Sequence, residues 1–266
     1  LKIAPPEVIS KIQFSDSSET YQEKECRNLN SLPGDLKGYD CEICKNKGVV
    51  YVLKEGGIVA RECKCMPVRK TLVRMRKSGL EDALKENTLD TYIAKEPWQE
   101  RIKKTAISFL DDYKENWFFI GGQVGAGKTH ICTALVGELI NRGYGAKYML
   151  WKDESTRIKS VVNDADSYEP LMHELKTIPV LYIDDFFKTY VDDRGVRVPP
   201  TQGDLKLAFE IINHRYIHGK ITIISSELTI KEIIAFDEAV GSRIFQRTKK
   251  YQLSLSKDQN KNQRLK

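Results

Sequence analysis

Eight residues, Gly122-Gln-Val-Gly-Ala-Gly-Lys-Thr129, carry the types and spacing of a phosphate cradle, G-x-x-x-x-G-K-[ST]. Glycines let the backbone fold tightly enough to aim successive N–H groups at β- and γ-phosphates. Lys128 adds a point positive charge, and the Thr129 hydroxyl can ligate Mg2+. A second constellation is Asp184-Asp185, which closes the apolar run Val180-Leu-Tyr-Ile183. A carboxylate at the end of a strand beside such a loop holds Mg2+, and its neighbour can orient or deprotonate the attacking water. Asp184 fits the first role and Asp185 the second. Ser225-Ser-Glu227 ends another apolar run, Ile221-Thr-Ile-Ile224, and puts Ser226 or Glu227 beside the γ-phosphate.

The third constellation is made of thiols. Cys41, Cys44, Cys63 and Cys65 cluster, while Cys26 and Cys132 stand alone. Eighteen residues separate the two pairs and read as a hairpin: Gly48 to Leu53, a Glu55-Gly-Gly57 turn, then Ile58 to Ala60. Four thiolates brought together at the ends of a hairpin suit one tetrahedral, structural Zn2+. In a chain without a secretory signal, clustered cysteines point to metal more than to disulfides.

These groups need elements to position them. Trp117 to Gly121 reads as a buried strand entering the phosphate loop, and His130 to Arg142 as a helix leaving it, with Gly143 as its stop. That sets a helix N-terminus against the phosphates. Strands follow at Ala146–Leu150, Val180–Ile183, Ile221–Ile224 and Tyr251–Leu255. A polar segment is expected over 151–167, an amphipathic stretch at Leu171–Leu175, and a helix from Thr201 with Leu205, Phe209, Ile212 and Tyr216 on one face. A lead-in helix carries Ile102, Ala106, Phe109 and Leu110. The alternation predicts an α/β fold with five parallel strands between helices. Val68 to Lys77 reads as a helix on which Arg69, Lys70, Arg74, Arg76 and Lys77 either meet phosphates or form a solvated face. Short helices are expected near Glu7–Phe14 and over 20–30, within an arm that is either partly ordered or a partner surface. The expected units are an arm at 1–40, a zinc-binding domain with its basic helix at 41–79, and an ATPase domain at 80–266.

Of the 266 residues 41% are hydrophobic and 30% charged, enough apolar material for a medium domain with a small accessory one. The net charge of +6 permits a nucleic-acid partner without demanding one. No apolar run approaches the ~18 residues that span a membrane. The chain opens on Leu1 rather than Met and lacks a secretory apolar region, so native residues are expected ahead of it and the cytoplasm is the expected location.

The order of phosphate loop, apolar strand with Asp-Asp, Ser-Ser-Glu and then Gly241-Ser-Arg-Ile244 resembles the AAA+ ATPases. Within them it is similar to replicative helicase loaders of the DnaC/DnaI type, phage-encoded members in particular. Phe209-Glu-Ile-Ile-Asn-His-Arg-Tyr216 and Thr222-Ile-Ile-Ser-Ser226 are the most family-like strings beyond the loop, and the cysteine knuckle matches that group's helicase-binding domain. The resemblance covers roughly residues 40–255. It implies that Gly122, Gln123, Val124, Gly125, Ala126, Gly127, Lys128, Thr129 and His130 bind ATP, with Thr129 and Asp184 on Mg2+. Asp185 takes the place of the catalytic acid, where many AAA+ proteins have Glu, and suits slow, regulatory hydrolysis. Sensor 1 falls at Ser225-Ser-Glu227; cellular loaders commonly end that string in Asn, and Ser226 is favoured as the acting residue. Arg243 matches the arginine finger that reaches a neighbouring subunit, which implies self-association. Lys152, Arg157 and Lys159 fall where related initiators contact single-stranded DNA, and Trp151 is either a stacking platform or core. No helical lid is expected after the last strand.

The implied partners are a DnaB-family replicative helicase hexamer and single-stranded DNA. A transposase helper of the IstB type would share the ATPase core but usually lacks a zinc knuckle. A small-molecule kinase would use the phosphate loop but neither the finger arginine nor the zinc.

Overall fold

The computed structural model describes residues 19–55, 57–77 and 80–265. The helix expected near Glu7–Phe14 and the turn residue Gly56 lie outside them. In chain order the elements are α1 (Tyr21–Ser31), β1 (Val49–Lys54), β2 (Gly57–Glu62), α2 (Met66–Lys77), α3 (Glu81–Glu86), α4 (Pro97–Asp112), β3 (Phe118–Gly122), α5 (Lys128–Asn141), β4 (Ala146–Leu150), α6 (Trp151–Ser160), α7 (Ala165–Thr177), β5 (Val180–Asp184), α8 (Gln202–Ile217), β6 (Ile221–Ser226), α9 (Ile230–Phe236), α10 (Glu238–Thr248) and β7 (Gln252–Leu255).

Among the described residues, five parallel strands form one sheet in the order β4-β5-β6-β3-β7. β3, β5 and β6 are buried along their whole length, as strands covered on both faces must be. Alternate side chains feed two cores. Phe118, Ile120, Tyr182 and Ile223 pack with Ile131 and Leu135 of α5 on one face. Phe119, Leu181, Ile183 and Ile224 pack with Leu207 and Ile211 of α8 on the other. Gly122 is required where it stands: its φ is 103°, and a Cβ there would lie 2.0 Å from Leu255 O of β7.

Three helices depart from the sequence expectations. α6 occupies part of the segment expected to be merely polar, because Trp151, Ser155 and Ile158 supply a narrow buried stripe. The buried face of α8 is Leu207, Ala208, Ile211, Ile212 and Arg215, whereas Phe209 is 39% exposed. A fully buried cation on the inner face disguises the apolar pattern. α2, grouped with the cysteines in the sequence, lays Val68 and Met75 into the α5 side of the main core, and its Thr71 hydroxyl accepts the Ala146 N–H of β4 at 2.8 Å.

β1 and β2 form a separate antiparallel hairpin, with Val49 opposite Glu62 and Lys54 opposite Gly57. α1 begins with a reciprocal cap: Thr20 Oγ1 accepts the Glu23 N–H, and Glu23 accepts the Thr20 N–H at 2.7 Å.

Candidate functional site

β3 delivers the chain into the phosphate loop, and Gly127, at φ 78°, turns it into α5. Lys128 is 7% exposed, and its ammonium donates to Gly122 O at 2.9 Å and Gln123 O at 2.6 Å. Burial pulls its pKa below the ordinary lysine value, while Asp185, Glu227 and Asp184 pull it back.

β5 ends on Asp184, which is 4% exposed. Its carboxylate accepts from the hydroxyls of Ser225, Tyr148 (3.1 Å) and Thr129 (3.4 Å) and from the Asp185 N–H (3.1 Å). A hydroxyl and a fixed carboxylate at the adjoining ends of α5 and β5 are hard oxygen donors of the kind Mg2+ takes. Asp185 sits at φ 53° and Phe187 at φ 55°, both left-handed, so the chain kinks sharply after the strand. Phe186 and Phe187 bury against Trp151 at ring distances of 4.8 and 5.4 Å, which holds the kink and makes Trp151 core rather than a stacking platform. Asp185 accepts the Lys188 ammonium at 2.8 Å.

The end of β6 corrects the expectation for Ser226. Its hydroxyl donates to Phe186 O at 2.7 Å and accepts the Leu228 N–H at 3.0 Å, so it is turned into the other core. Ser225 faces Asp184 instead. Glu227, 14% exposed, pairs with Lys188 at 3.2 Å and Arg197 at 3.1 Å. Burial works to raise its pKa, but hydrogen bonds from Arg197 and Lys188 hold it below the ordinary carboxylate value. Strand alternation could have chosen between the serines, since Ser225 shares a face with Ile223 and hence with α5.

His130 turns from the loop toward Thr88 O (3.0 Å) and Thr91 Oγ1 (3.2 Å), edge-on to Tyr92 at 5.2 Å. Arg243 lies on α10, where it donates to Asn213 Oδ1 at 2.9 Å and Ala239 O at 2.7 Å and covers the Phe209 ring. Its contacts within the chain are with α8 and α10, not with the phosphate loop. Of the three cations assigned to DNA, Lys152 is exposed, Arg157 pairs with Glu154 at 2.8 Å, and Lys159 pairs with Asp204 at 2.6 Å. The basic helix α2 is similarly engaged: Lys70 with Glu62, Arg74 with Glu174 and Arg76 with Glu81. No local pattern announces that the residues after β7 return to the loop, yet the Gln263 N–H donates to Gly125 O at 2.9 Å and the Asp258 N–H to Gln123 Oε1 at 2.8 Å.

The cysteine centre is distinct from this site. The four sulfurs lie within 4.8 Å of one another, with Cys41 3.8 Å from Cys63 and Cys44 3.6 Å from Cys65. Tetrahedral Zn–S bonds of about 2.3 Å place sulfurs about 3.8 Å apart, so the cluster fits zinc. Cys44 Sγ accepts the Gly48 N–H at 3.3 Å and Cys65 Sγ the Arg69 Nε–H at 3.4 Å, donors that favour thiolate.

The IstB-like ATP binding protein family matches this sequence over residues 44–256. Phage-like element PBSX protein XkdC of Bacillus subtilis (strain 168) is 30% identical over 226 residues, 82% of this chain and 82% of that protein. The replicative helicase loader DnaC of Buchnera aphidicola subsp. Acyrthosiphon pisum is 25% identical over 131 residues, 48% of this chain and 52% of that protein. The crystal structure of the DnaC helicase loader shares the fold at a TM-score of 0.52 and 21% identity, over 66% of this chain and 98% of that one.

Proposed function

The chain belongs to the IstB-like ATP binding protein family, and from that premise we propose that it is an ATP-dependent loader of a DnaB-family replicative helicase. It is an AAA+ ATPase by fold and family. The observation that carries the finer reading is the cysteine knuckle fixed to the ATPase core through α2, a compact surface suited to gripping another protein. Arg69 makes the joint: its guanidinium donates to Lys37 O, Tyr39 O, Asn46 Oδ1 and Cys65 Sγ while its helix packs on the sheet.

In this reading residues 122–129 cradle the triphosphate with backbone N–H groups, and Lys128 exchanges its loop carbonyls for phosphate oxygens. His130 follows at the first turn of α5. Mg2+, held by Thr129 and Asp184, would neutralise charge on the β- and γ-phosphates. Asp185 orients the attacking water and takes its proton. The Lys188 ammonium holds that carboxylate in a salt bridge at 2.8 Å, which it must leave to meet the water, and this suits a slow switch. Arg243 serves a neighbouring subunit, so turnover depends on self-association. Single-stranded DNA is the second ligand, with Lys152 the most available of the three assigned cations. A bacterial host cytoplasm is the matching compartment; among the described residues no helix is long and apolar enough to cross a membrane.

The family match equally favours a second reading, an ATPase helper of a DNA transposase. The separating experiment is a pull-down with the host replicative helicase, followed by light scattering, using wild type and a Cys41→Ser, Cys44→Ser double variant. A stable complex that the variant loses is the expected result. If no replicative helicase is retained and a transposase is, the loader reading falls.

A further inference from the structure

A cavity of about 310 Å3 opens beside the phosphate loop, lined by Gly122, Gln123, Val124, Arg197, Glu227 and Lys257. Arg197 reaches it from the hairpin between β5 and α8. That hairpin is closed by the Asp192 N–H on Val196 O at 2.8 Å and the Val198 N–H on Tyr190 O at 3.0 Å. The hairpin exposes Tyr190, Val191 and Val196, while the side chain of Arg197, which stands opposite Val191, is only 23% exposed. The guanidinium has two partners there, Glu227 at 3.1 Å and Thr189 O at 3.3 Å. Glu227 also holds Lys188, and it is among the carboxylates that act on Lys128.

We propose that Arg197 is a γ-phosphate contact within its own subunit and that Glu227 holds it until a triphosphate arrives. The proposal rests on the ATP-site reading above. A γ-phosphate carries more charge than a carboxylate and offers a guanidinium two oxygens in fork geometry, so it outcompetes Glu227 for Arg197. ADP lacks that group and leaves the ion pair in place. Glu227 keeps Lys188 after the exchange, so its carboxylate is not left unpaired. Because Arg197 is bridged to Val191 across the hairpin, the exchange moves the exposed apolar residues around it, and the hairpin then reports which nucleotide is bound.

The test uses the full chain as wild type, Lys128→Ala, Arg197→Ala, Arg197→Lys and Glu227→Gln. Each is titrated with fluorescent ADP and with a non-hydrolysable ATP analogue. Arg197→Ala should weaken the ATP analogue by about 10- to 100-fold, the range of a charge-assisted pair, and ADP by less than about 2-fold. Arg197→Lys should recover part of the loss, and Glu227→Gln should tighten the ATP analogue. Hydrogen exchange over residues 189–199 should differ between the two nucleotide complexes of wild type and not between those of Arg197→Ala. Equal weakening of both nucleotides marks a structural role and overturns the proposal. So does an unchanged ATP-to-ADP ratio, which leaves the ATP site itself intact if Lys128→Ala still loses both nucleotides. A wild type that binds neither nucleotide overturns the proposal and the site together.

Discussion

Asp184 accepts hydrogen bonds from Ser225, Tyr148, Thr129 and its own neighbour's backbone, which fixes its carboxylate before any ion or nucleotide arrives. Ser225→Ala removes one of these donors without opening a sizeable cavity. Turnover is expected to fall by about 10-fold and half-saturating Mg2+ to rise, the order of one lost charge-assisted hydrogen bond. Metal-free nucleotide affinity should not change. Ser226→Ala should instead cost about 1 kcal/mol of stability and spare the Mg2+ dependence, because its bonds go to Phe186 O and Leu228 N. If the two variants exchange phenotypes, the assignment of the β6 end is wrong. At this scale the glycines, Lys128, Thr129 and both aspartates were legible because their spacing along the chain is their geometry. Arg197, Lys257 and Tyr92 were not, since each reaches the loop from a distant element and no local pattern announces it.

Among the elements, α8 depends most on a single polar group. Arg215 is fully buried and donates to Leu175 O, Ile178 O, Ile221 O and Thr222 Oγ1, tying the ends of α7, β5 and β6 together. Arg215→Met keeps the bulk but strands those acceptors, and should destabilise by about 3 kcal/mol or more. For a domain of this size that is a melting-point drop of roughly 6–12 °C, read by calorimetry; a drop under about 2 °C would mean that the carbonyls find other donors. The knuckle makes a separate prediction. Elemental analysis should find one zinc per chain, absent from the Cys41→Ser, Cys44→Ser variant. Chelation should speed hydrogen exchange across residues 36–65, while ADP affinity stays within about 3-fold, because the sulfurs take no part in the main core. The central strands were legible from their continuous apolar runs. α6, α9 and α10 were less so, because short helices with only two to four buried positions leave little periodicity to read.

For the whole molecule, the sheet order brings β7 against β3, and that pairing delivers the following residues to the phosphate loop. Two short 3-10 turns, Gln259–Lys261 and Gln263–Leu265, follow β7. Asn262 stands so near Gly125 that a Cβ there would fall 1.9 Å from its Oδ1, and the Gln263 N–H takes the Gly125 carbonyl. Phosphates bind the N–H groups of such a loop, not its carbonyls. The tail and a nucleotide therefore use opposite sides of one backbone, and the tail steadies the loop in a conformation ready for phosphate. Removing everything after Ser256 gives up at least two hydrogen bonds to the loop, those from Asp258 and Gln263, each worth about 1 kcal/mol. The truncated chain is expected to bind ADP and an ATP analogue about 10-fold more weakly, by the same factor for both. That equality separates the tail from Arg197, whose loss should fall on the triphosphate alone. Fluorescent-nucleotide titration of the truncated chain decides it: tighter binding after truncation would make the tail an obstruction to the site, the opposite of a brace.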